Sequence, residues 1–256
     1  MTPEWLLYLF AGLLGAALGS FLNVCVYRWP ADLSVVSPPS RCPSCGAGIR
    51  WFDNVPVLGW IFLRGRCRNC RAPISIQYPL VELATAAVWV MAALRFGYDW
   101  RTLSTAVFFT LLLGIALSDA RTYIIPDQFT LGGLVIGIAL AFAPGGITPV
   151  RSLIGAALGF GLLWLVGELG RWAFKKPAMG GGDIKMMAMV GAFLGSSGVL
   201  LTIFLGALFG SLVFGPISMK TGKLVPFGIF LALGAAIAEP WGHAIVGWYT
   251  RTFLGG

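Results

Sequence analysis

The sequence predicts an all-α polytopic membrane protein of about eight transmembrane helices, with one small aqueous module. Hydrophobic residues make up 57% of the 256 residues, only 11% are charged, and the mean hydropathy is +0.84. A typical soluble domain is about one quarter charged. The apolar residues fall in several runs long enough to cross a bilayer, and the polar remainder is short. These observations exclude a soluble enzyme, a disordered chain and a coiled coil.

The apolar runs predict the helices in chain order. Trp5 to Tyr27 is uncharged and is followed by no small-residue cleavage site, so we expect a retained helix. Ile184 to Ile217 is too long for one crossing and short for two, and Gly195 to Gly198 offers a break. Ile184 to Leu194 is short for a span, so a tilted or re-entrant segment stays an alternative. The remaining predicted spans are Leu80 to Phe96, Leu103 to Ser118, Phe129 to Ala143, Ser152 to Phe174 and Val225 to Tyr249.

The positive charges predict the orientation of these spans, because lysine and arginine collect in cytoplasmic loops. The net charge is +8, and on a membrane protein we take it to encode topology rather than nucleic-acid binding. Eight spans with both termini in the periplasm place most of the basic residues in the cytoplasm. A single crossing at Ile184 to Ile217 would separate Lys185 from Lys220 and move Lys220 and Lys223 outward, so the charges favour the break. The predicted division is 1–27 as the first transmembrane helix, 28–79 as a cytoplasmic module, and 80–256 as a membrane-embedded domain.

The cytoplasmic module contains two CxxC pairs, Cys42 with Cys45 and Cys67 with Cys70, separated by residues 46–66. This spacing is typical of two turns that present four thiolates to zinc. Two disulfides, or cysteines that only pack, are the alternatives. Flanking arginines place the module in the reducing cytoplasm, where disulfides are rare, and the segment is too small for a large core. We therefore predict a closed, structural zinc site. Cys25, alone in the first span, is expected to pack.

Two acidic residues lie at membrane depth on the same predicted face, Asp119 at the end of the third span and Asp183 at the start of the sixth. Alone, each has a structural interpretation, as a boundary charge or a helix N-cap. Gly180, Gly181 and Gly182 precede Asp183 and would let a substrate backbone come close. Two carboxylates in a partly dry site share a proton, so that one activates water while the other protonates the leaving group. The pair therefore predicts aspartyl protease chemistry.

The other ionisable candidates are weaker. Asp127 follows Pro126 and is expected to be the N-cap of the fourth span. Glu82 lies two residues inside the second span, where an acid needs a partner or a function. The single histidine, His243, lies near the outer end of the last span, which argues against a histidine-based triad.

The ordered set of motifs resembles the bacterial type IV prepilin peptidases, also called leader peptidase and N-methyltransferase. The resemblance covers nearly the whole chain and rests on motifs from the first span to the last. These are Gly19 to Val24, the paired CxxC loop, Arg64 to Cys67, Tyr78 to Leu83, Asp119 with Pro126-Asp127, Gly180 to Lys185, and Val225 to Gly228. Family members often carry a second acid two residues after the first catalytic aspartate. This chain has Arg121 there.

The resemblance implies a GxGD aspartyl protease of the inner membrane, with Asp119 and Asp183 as catalytic residues and Gly180 and Gly182 as the motif glycines. It implies cleavage of the basic leader from type IV prepilins and type II secretion pseudopilins at the cytoplasmic face. It further implies methylation of the new N-terminal amine with S-adenosylmethionine as methyl donor. The family's loop pattern makes Gly65 and Glu82 candidates for the methyltransferase site, although Glu82 is equally well explained as a structural acid paired with a loop arginine.

Three alternatives stay open from the sequence. The first is a peptidase without methyltransferase activity, as in the archaeal preflagellin peptidases, which lack the cysteine loop. The second is a transporter in which Glu82, Asp119 and Asp183 relay protons or cations. The third is a non-catalytic scaffold whose zinc module docks cytoplasmic partners.

Overall fold

The computed structural model describes residues 3–176, 179–221 and 226–253, with the side chains of 214–221 excepted. The regular structure in these ranges is helical, and two isolated β-bridges join Arg41 to Gly48 and Arg66 to Pro73. Short 3-10 helices cover Trp29–Ala31 and Trp51–Asn54. The α-helices are α1 (Glu4–Arg28), α2 (Leu58–Phe62), α3 (Gln77–Phe96), α4 (Trp100–Thr122), α5 (Asp127–Leu140), α6 (Pro149–Phe174), α7 (Gly181–Thr221) and α8 (Phe227–Phe253).

Six helices of the described chain are long and apolar enough to cross a bilayer: α1, α3, α4, α6, α8 and the part of α7 up to Val213. The predicted all-α membrane class is therefore confirmed. The number of about eight spans is not confirmed, because α5 has only 14 residues and the apolar part of α7, Gly181–Val213, counts as one candidate span. Lys223 and Val225, which entered the sequence predictions, lie outside the described residues.

Helix α7 contains the break that the sequence predicts. The backbone leaves the helical conformation at Gly195, with φ 69° and ψ −171°. Residues with a side chain rarely adopt a positive φ, so glycine is the residue that permits this kink. The first part of α7, up to Leu194, is about 21 Å long at ~1.5 Å per residue, shorter than a ~30 Å hydrocarbon core. Its side chains from Met186 to Val190 are buried in protein, which is where a short intramembrane segment is tolerated.

The chain folds as two compact units, 1–110 and 111–256. In the first, α1 packs closely on α3, because a Cβ at Gly19 would lie 2.8 Å from Cα of Glu82 and one at Gly15 would lie 2.9 Å from Cβ of Trp89. In the second, α7 packs against α5, α6 and α8. The division into 1–27, 28–79 and 80–256 was drawn from composition rather than packing, and it stays a prediction.

Candidate active site and metal centre

Asp119 lies near the end of α4, and its side chain is buried, with the residue 4% exposed. The helix continues to Thr122, so Asp119 is inside the last turn rather than at the end of the helix. Its Oδ2 accepts a hydrogen bond from the backbone N–H of Ile229, with 3.1 Å between the two atoms. The N–H of Gly228 also faces this carboxylate. Both amides belong to the first turn of α8, where free N–H groups and the helix dipole stabilise an anion.

Asp183 is the third residue of α7 and turns back toward Gly180, whose backbone N–H bonds its carboxylate. Asp183 is therefore not the N-cap that its structural interpretation required, and it bonds back to Gly180 from inside the first turn, as one half of a capping box does. The other oxygen, Oδ1, is buried and has no hydrogen-bond partner among the described residues. The charges of Asp119 and Asp183 interact. The structure therefore brings the two predicted acids together and leaves one buried oxygen free for a proton, a water or a substrate.

The glycines before Asp183 provide space rather than unusual dihedrals. None of the three has a positive φ. A Cβ at Gly182 would lie 2.8 Å from Cβ of Ile125, and one at Gly180 would lie 2.9 Å from Oδ2 of Asp183, whereas Gly181 faces open space. The two motif glycines therefore have different roles. Gly180 leaves space for the carboxylate of Asp183, and Gly182 leaves space for the side chain of Ile125.

Ile125, in the loop after α4, lies between the start of α7, which holds Asp183, and the start of α8, which faces Asp119. Besides Gly182 of α7, it contacts Gly228 of α8, where a Cβ would lie 2.7 Å from Cδ1 of Ile125 and 2.9 Å from Oδ2 of Asp119. Ile125 is buried. Its side chain consequently sets the separation between the first turns of α7 and α8.

A salt bridge lies beside this site. Nζ of Lys185 is 2.7 and 2.8 Å from the two carboxylate oxygens of Asp127. The prediction of Asp127 as an N-cap is wrong by one position, because Pro126 is the N-cap and Asp127 is the first residue of α5. Proline fixes φ near −65°, which suits the helix start, and the carboxylate then points outward to Lys185 instead of capping.

The two cysteine pairs are copies of one local structure. In each, the N–H of the first cysteine bonds a carbonyl five residues later, from Cys42 to Ala47 at 2.9 Å and from Cys67 to Ala72 at 2.8 Å. The residue after the second cysteine has a positive φ in both copies, 70° at Gly46 and 60° at Arg71. The two copies are Arg41 to Ile49 and Arg66 to Ile74, a repeat that the sequence also shows, and we call them the first and second cysteine knuckles.

The four sulfur atoms converge. The Sγ atoms of Cys42, Cys45, Cys67 and Cys70 all lie within 4.8 Å of one another, and Cys42 and Cys70 are 3.8 Å apart. A tetrahedral zinc with Zn–S bonds of about 2.3 Å places its sulfurs about 3.8 Å apart, whereas a disulfide needs about 2.05 Å. Backbone hydrogen bonds lower the pKa of Cys45 to about 6 and also lower the pKa of Cys67, whereas burial and the neighbouring thiols raise the pKa of Cys70 to about 11. The cluster fits the predicted structural zinc site.

Glu82 is buried in α3, and its Oε2 accepts a 2.7 Å hydrogen bond from the backbone N–H of Val57. The observed partner is therefore a loop amide, where the sequence suggested a loop arginine. Val57 has φ 61° and ψ −51° and sits at the centre of a γ-turn, since the N–H of Leu58 bonds the carbonyl of Pro56 at 2.6 Å. This conformation is rare and strained for a β-branched residue. Glu82 holds the strained turn in place.

Gly65, the second methyltransferase candidate, has a positive φ of 65° and lies under the indole of Trp60. A Cβ there would be 2.8 Å from Cζ2 of that ring. Nε1 of Trp60 in turn donates to the carbonyl of Ile74 at 3.1 Å, and the N–H of Ile74 bonds the carbonyl of Gly65 at 2.7 Å. Gly65 therefore joins α2 to the second cysteine knuckle.

Comparison with known proteins covers both units. Residues 13–96 match the family model described as the bacterial peptidase A24 N-terminal domain, and residues 106–215 match the type IV leader peptidase family. A protein of Aeromonas hydrophila named prepilin leader peptidase/N-methyltransferase is 36% identical over 98% of this chain and 96% of its own length. The chain belongs to the type IV leader peptidase family.

Further relatives carry the same name. One from Myxococcus xanthus (strain DK1622) is 40% identical over 88% of this chain and 66% of its own length, and one from Pseudomonas aeruginosa is 35% identical over 94% and 91%. No solved structure matches the chain.

For this leader peptidase family member, three contacts of the site were absent from the sequence predictions: the Asp119 to Ile229 hydrogen bond, the position of Ile125, and the Val57 turn. Positive φ at a valine has no sequence signature, and the other two are contacts between distant segments.

Proposed function

We propose that this chain cleaves the leader peptide of type IV prepilins at the cytoplasmic face of the inner membrane and then methylates the new N-terminal amine. The observation that carries the proposal is the convergence of Asp119, which is buried, and Asp183, one oxygen of which is buried, from two helices of a leader peptidase family member. Family membership supports the activity, and the relatives' names join peptidase and N-methyltransferase.

We assign the two acids different roles in peptide hydrolysis. Two N–H groups of α8 face Asp119 and favour its negative charge, so Asp119 takes a proton from the attacking water. Asp183 has one unpaired buried oxygen and carries the shared proton, which it gives to the leaving nitrogen. The water oxygen bonds to the scissile carbonyl carbon and the C–N bond breaks. The proton that Asp119 takes up replaces the one that Asp183 gives, so the pair ends with one shared proton.

Zinc bound to the four thiolates would hold the two knuckles together and would leave no open coordination position for chemistry. Methyl transfer requires S-adenosylmethionine as donor. The side chain of Glu82 and the backbone of Gly65 are engaged within the module by Val57, Trp60 and Ile74. We therefore assign Glu82 and Gly65 to positioning of the methyltransferase region rather than to direct contact with the donor.

The orientation proposed is the one that the charges favour, with the active site and the zinc module in the cytoplasm and both termini in the periplasm. Arginines of the module support it, since they are exposed and lie between α1 and α3. We include pseudopilins of type II secretion among the substrates, because they share the same type of leader. A peptidase without methyltransferase activity is the second candidate, and the presence of the cysteine module favours the bifunctional form.

The test is to incubate the purified protein in lipid vesicles with a synthetic prepilin and S-adenosylmethionine labelled in the methyl group. We expect leader loss first and methyl incorporation into the shortened product afterwards. Leader loss without methyl gain would leave the peptidase and remove the second activity. No leader loss would overturn the proposed function.

A further inference from the structure

The zinc module exposes apolar side chains on one face of a short helix. Leu58, Ile61 and Phe62 lie at positions i, i+3 and i+4 of α2 and are all exposed, Phe62 by 79%. The opposite face of α2 packs on the preceding 3-10 helix, where a Cβ at Gly59 would collide with the carbonyl of Asp53. That 3-10 helix exposes Trp51 by 82%. We call Trp51, Leu58, Ile61 and Phe62 the apolar patch.

Such a patch is costly in water, so the depth of α2 relative to the membrane helices decides what covers it. The N-terminus of α2 is held at Glu82 by the Val57 hydrogen bond. Glu82 lies five residues beyond Gln77, the first residue of α3, which is about 7 Å along the helix axis. Helix α3 has 20 residues and is about 30 Å long, so it has little length outside the hydrocarbon core. The start of α2 is therefore at the depth of the bilayer surface.

Two further features mark the same level. Tyr27 of α1 and Tyr78 of α3 stack with ring centroids 6.0 Å apart, and tyrosine is enriched where membrane helices leave the hydrocarbon. Exposed arginines flank the patch, with Arg50 beside Trp51, and Arg64 and Arg66 directly after α2. Apolar and aromatic side chains flanked by cations are the composition of interfacial segments, which bury about 5–10 Å into the headgroup boundary. Each nearby arginine favours anionic lipid.

We propose that the apolar patch inserts into the leaflet beside the zinc module and that Arg50, Arg64 and Arg66 bind anionic lipid headgroups there. The module is then anchored to the bilayer by a third contact besides α1 and α3. Glu82, through the strained turn at Val57, fixes the depth of this contact.

The test uses the full zinc-loaded chain in separate sets of vesicles whose lipids are brominated either near the headgroup or deep in the acyl chain. The difference in fluorescence between the protein and its Trp51→Phe variant reports Trp51 alone. Trp164, exposed by 51% within α6, is the positive control, and Trp89, exposed by 6%, is the negative control. The fluorescence of each control tryptophan is obtained as the difference between the protein and its Trp164→Phe or Trp89→Phe variant. We expect Trp51 to be quenched most by the shallow bromines, as strongly as the deep bromines quench Trp164, and a Phe62→Trp probe in the Trp51→Phe background to behave like Trp51.

If both probes are quenched as weakly as Trp89, the insertion is overturned. Acrylamide, a water-soluble quencher, would then show whether the probes lie in water or are covered by another part of the chain. The lipid preference has its own arm. Adding anionic lipid should increase the quenching of Trp51, and this increase should be lost in the Arg64→Gln/Arg66→Gln variant. An increase that persists in that variant, or no increase at all, would overturn the assignment of these arginines to anionic headgroups.

Discussion

Oδ2 of Asp119 and the backbone N of Ile229 are 3.1 Å apart, although these residues lie on α4 and α8. Helix α8 begins at Phe227, within the late motif that spans residues 225–228. The hydrogen bond therefore connects this motif with Asp119, the first of the two acids. A Cβ at Gly228 would lie 2.9 Å from Oδ2 of Asp119, so glycine at this position lets the carboxylate approach the helix start. This close approach explains the glycine of the late motif.

The first prediction concerns the two acids as a unit. Asp119→Asn and Asp183→Asn should each reduce prepilin cleavage by about 10³-fold or more, and the double variant should be no worse, because residues that act together are not additive. Asp127→Asn is the matched control, since it changes a neighbouring exposed acid that pairs with Lys185. It should retain most of the cleavage rate. Substantial cleavage by either single active-site variant, in protein that still inserts into membranes, would remove the assignment.

The second prediction concerns the spacing set by Ile125. Gly228→Ala and Gly182→Ala should each slow cleavage and cost about 1–3 kcal/mol of stability through overpacking. Ile125→Val removes Cδ1, the atom that a Cβ at Gly228 would meet at 2.7 Å, but keeps Cβ, which a Cβ at Gly182 would meet at 2.8 Å. Adding Ile125→Val should therefore partly rescue Gly228→Ala and not Gly182→Ala. Equal rescue of both, measured by cleavage rate and thermal unfolding, would contradict this geometry.

The third prediction concerns the metal. The purified protein should contain about one zinc per chain, and Cys42→Ser or Cys67→Ser should release it, since both remove a ligand of the same tetrahedron. Cys25→Ala is the control, because this buried cysteine lies in α1 and outside the cluster. Elemental analysis measures the zinc. Cleavage should persist in the zinc-free variants at a reduced level, whereas complete loss with intact membrane insertion would show that the module is needed for proteolysis.

The fourth prediction concerns Glu82. Glu82→Ala removes the acceptor for the N–H of Val57, whereas Glu82→Gln keeps an oxygen in place. We expect Glu82→Ala to reduce methylation of already cleaved pilin at least tenfold, about 1.4 kcal/mol, and Glu82→Gln to reduce it less. Leader cleavage of intact prepilin should be nearly unchanged in both. If both variants methylate normally, Glu82 has no part in that activity.

The fifth prediction concerns Gly65. Gly65→Ala places a side chain at a positive φ of 65° and 2.8 Å from the Trp60 ring, so the knuckle should loosen. Methylation should fall while leader cleavage persists. Gly48→Ala is the matched control, because a Cβ at Gly48 in the first knuckle meets nothing within 4 Å. Full methylation by Gly65→Ala would show that this glycine is dispensable.

Much of this fold could be predicted because its determinants are local in sequence. Runs of apolar residues predict spans, Gly195 lies within the predicted break, and two CxxC pairs predict a four-sulfur cluster. The ends of the helices were less accurate. Helix α4 continues past Ser118 to Thr122, and α5 begins at Asp127, since backbone hydrogen bonding decides the ends and hydropathy does not.

The remaining contacts of the site could not be predicted because they join residues far apart in the chain. Nothing in the composition places Ile125 against both Gly182 and Gly228, or the N–H of Val57 against Glu82. The sequence did predict that Glu82 needs a partner. The sequence suggested an arginine side chain as this partner. The backbone amide of Val57 instead satisfies the buried carboxylate with a hydrogen bond and adds no second charge.

The position of Asp183 has a consequence for how the protein responds to its membrane. The residue lies near the start of the short part of α7 before Gly195, and residues 186–190 of that part are at most 4% exposed. Lipid-facing helices tilt when the hydrocarbon layer becomes thicker or thinner. A segment enclosed by protein and separated by a kink from the rest of its helix is shielded from that adjustment. We therefore expect Asp183 to keep its position when the acyl-chain length changes.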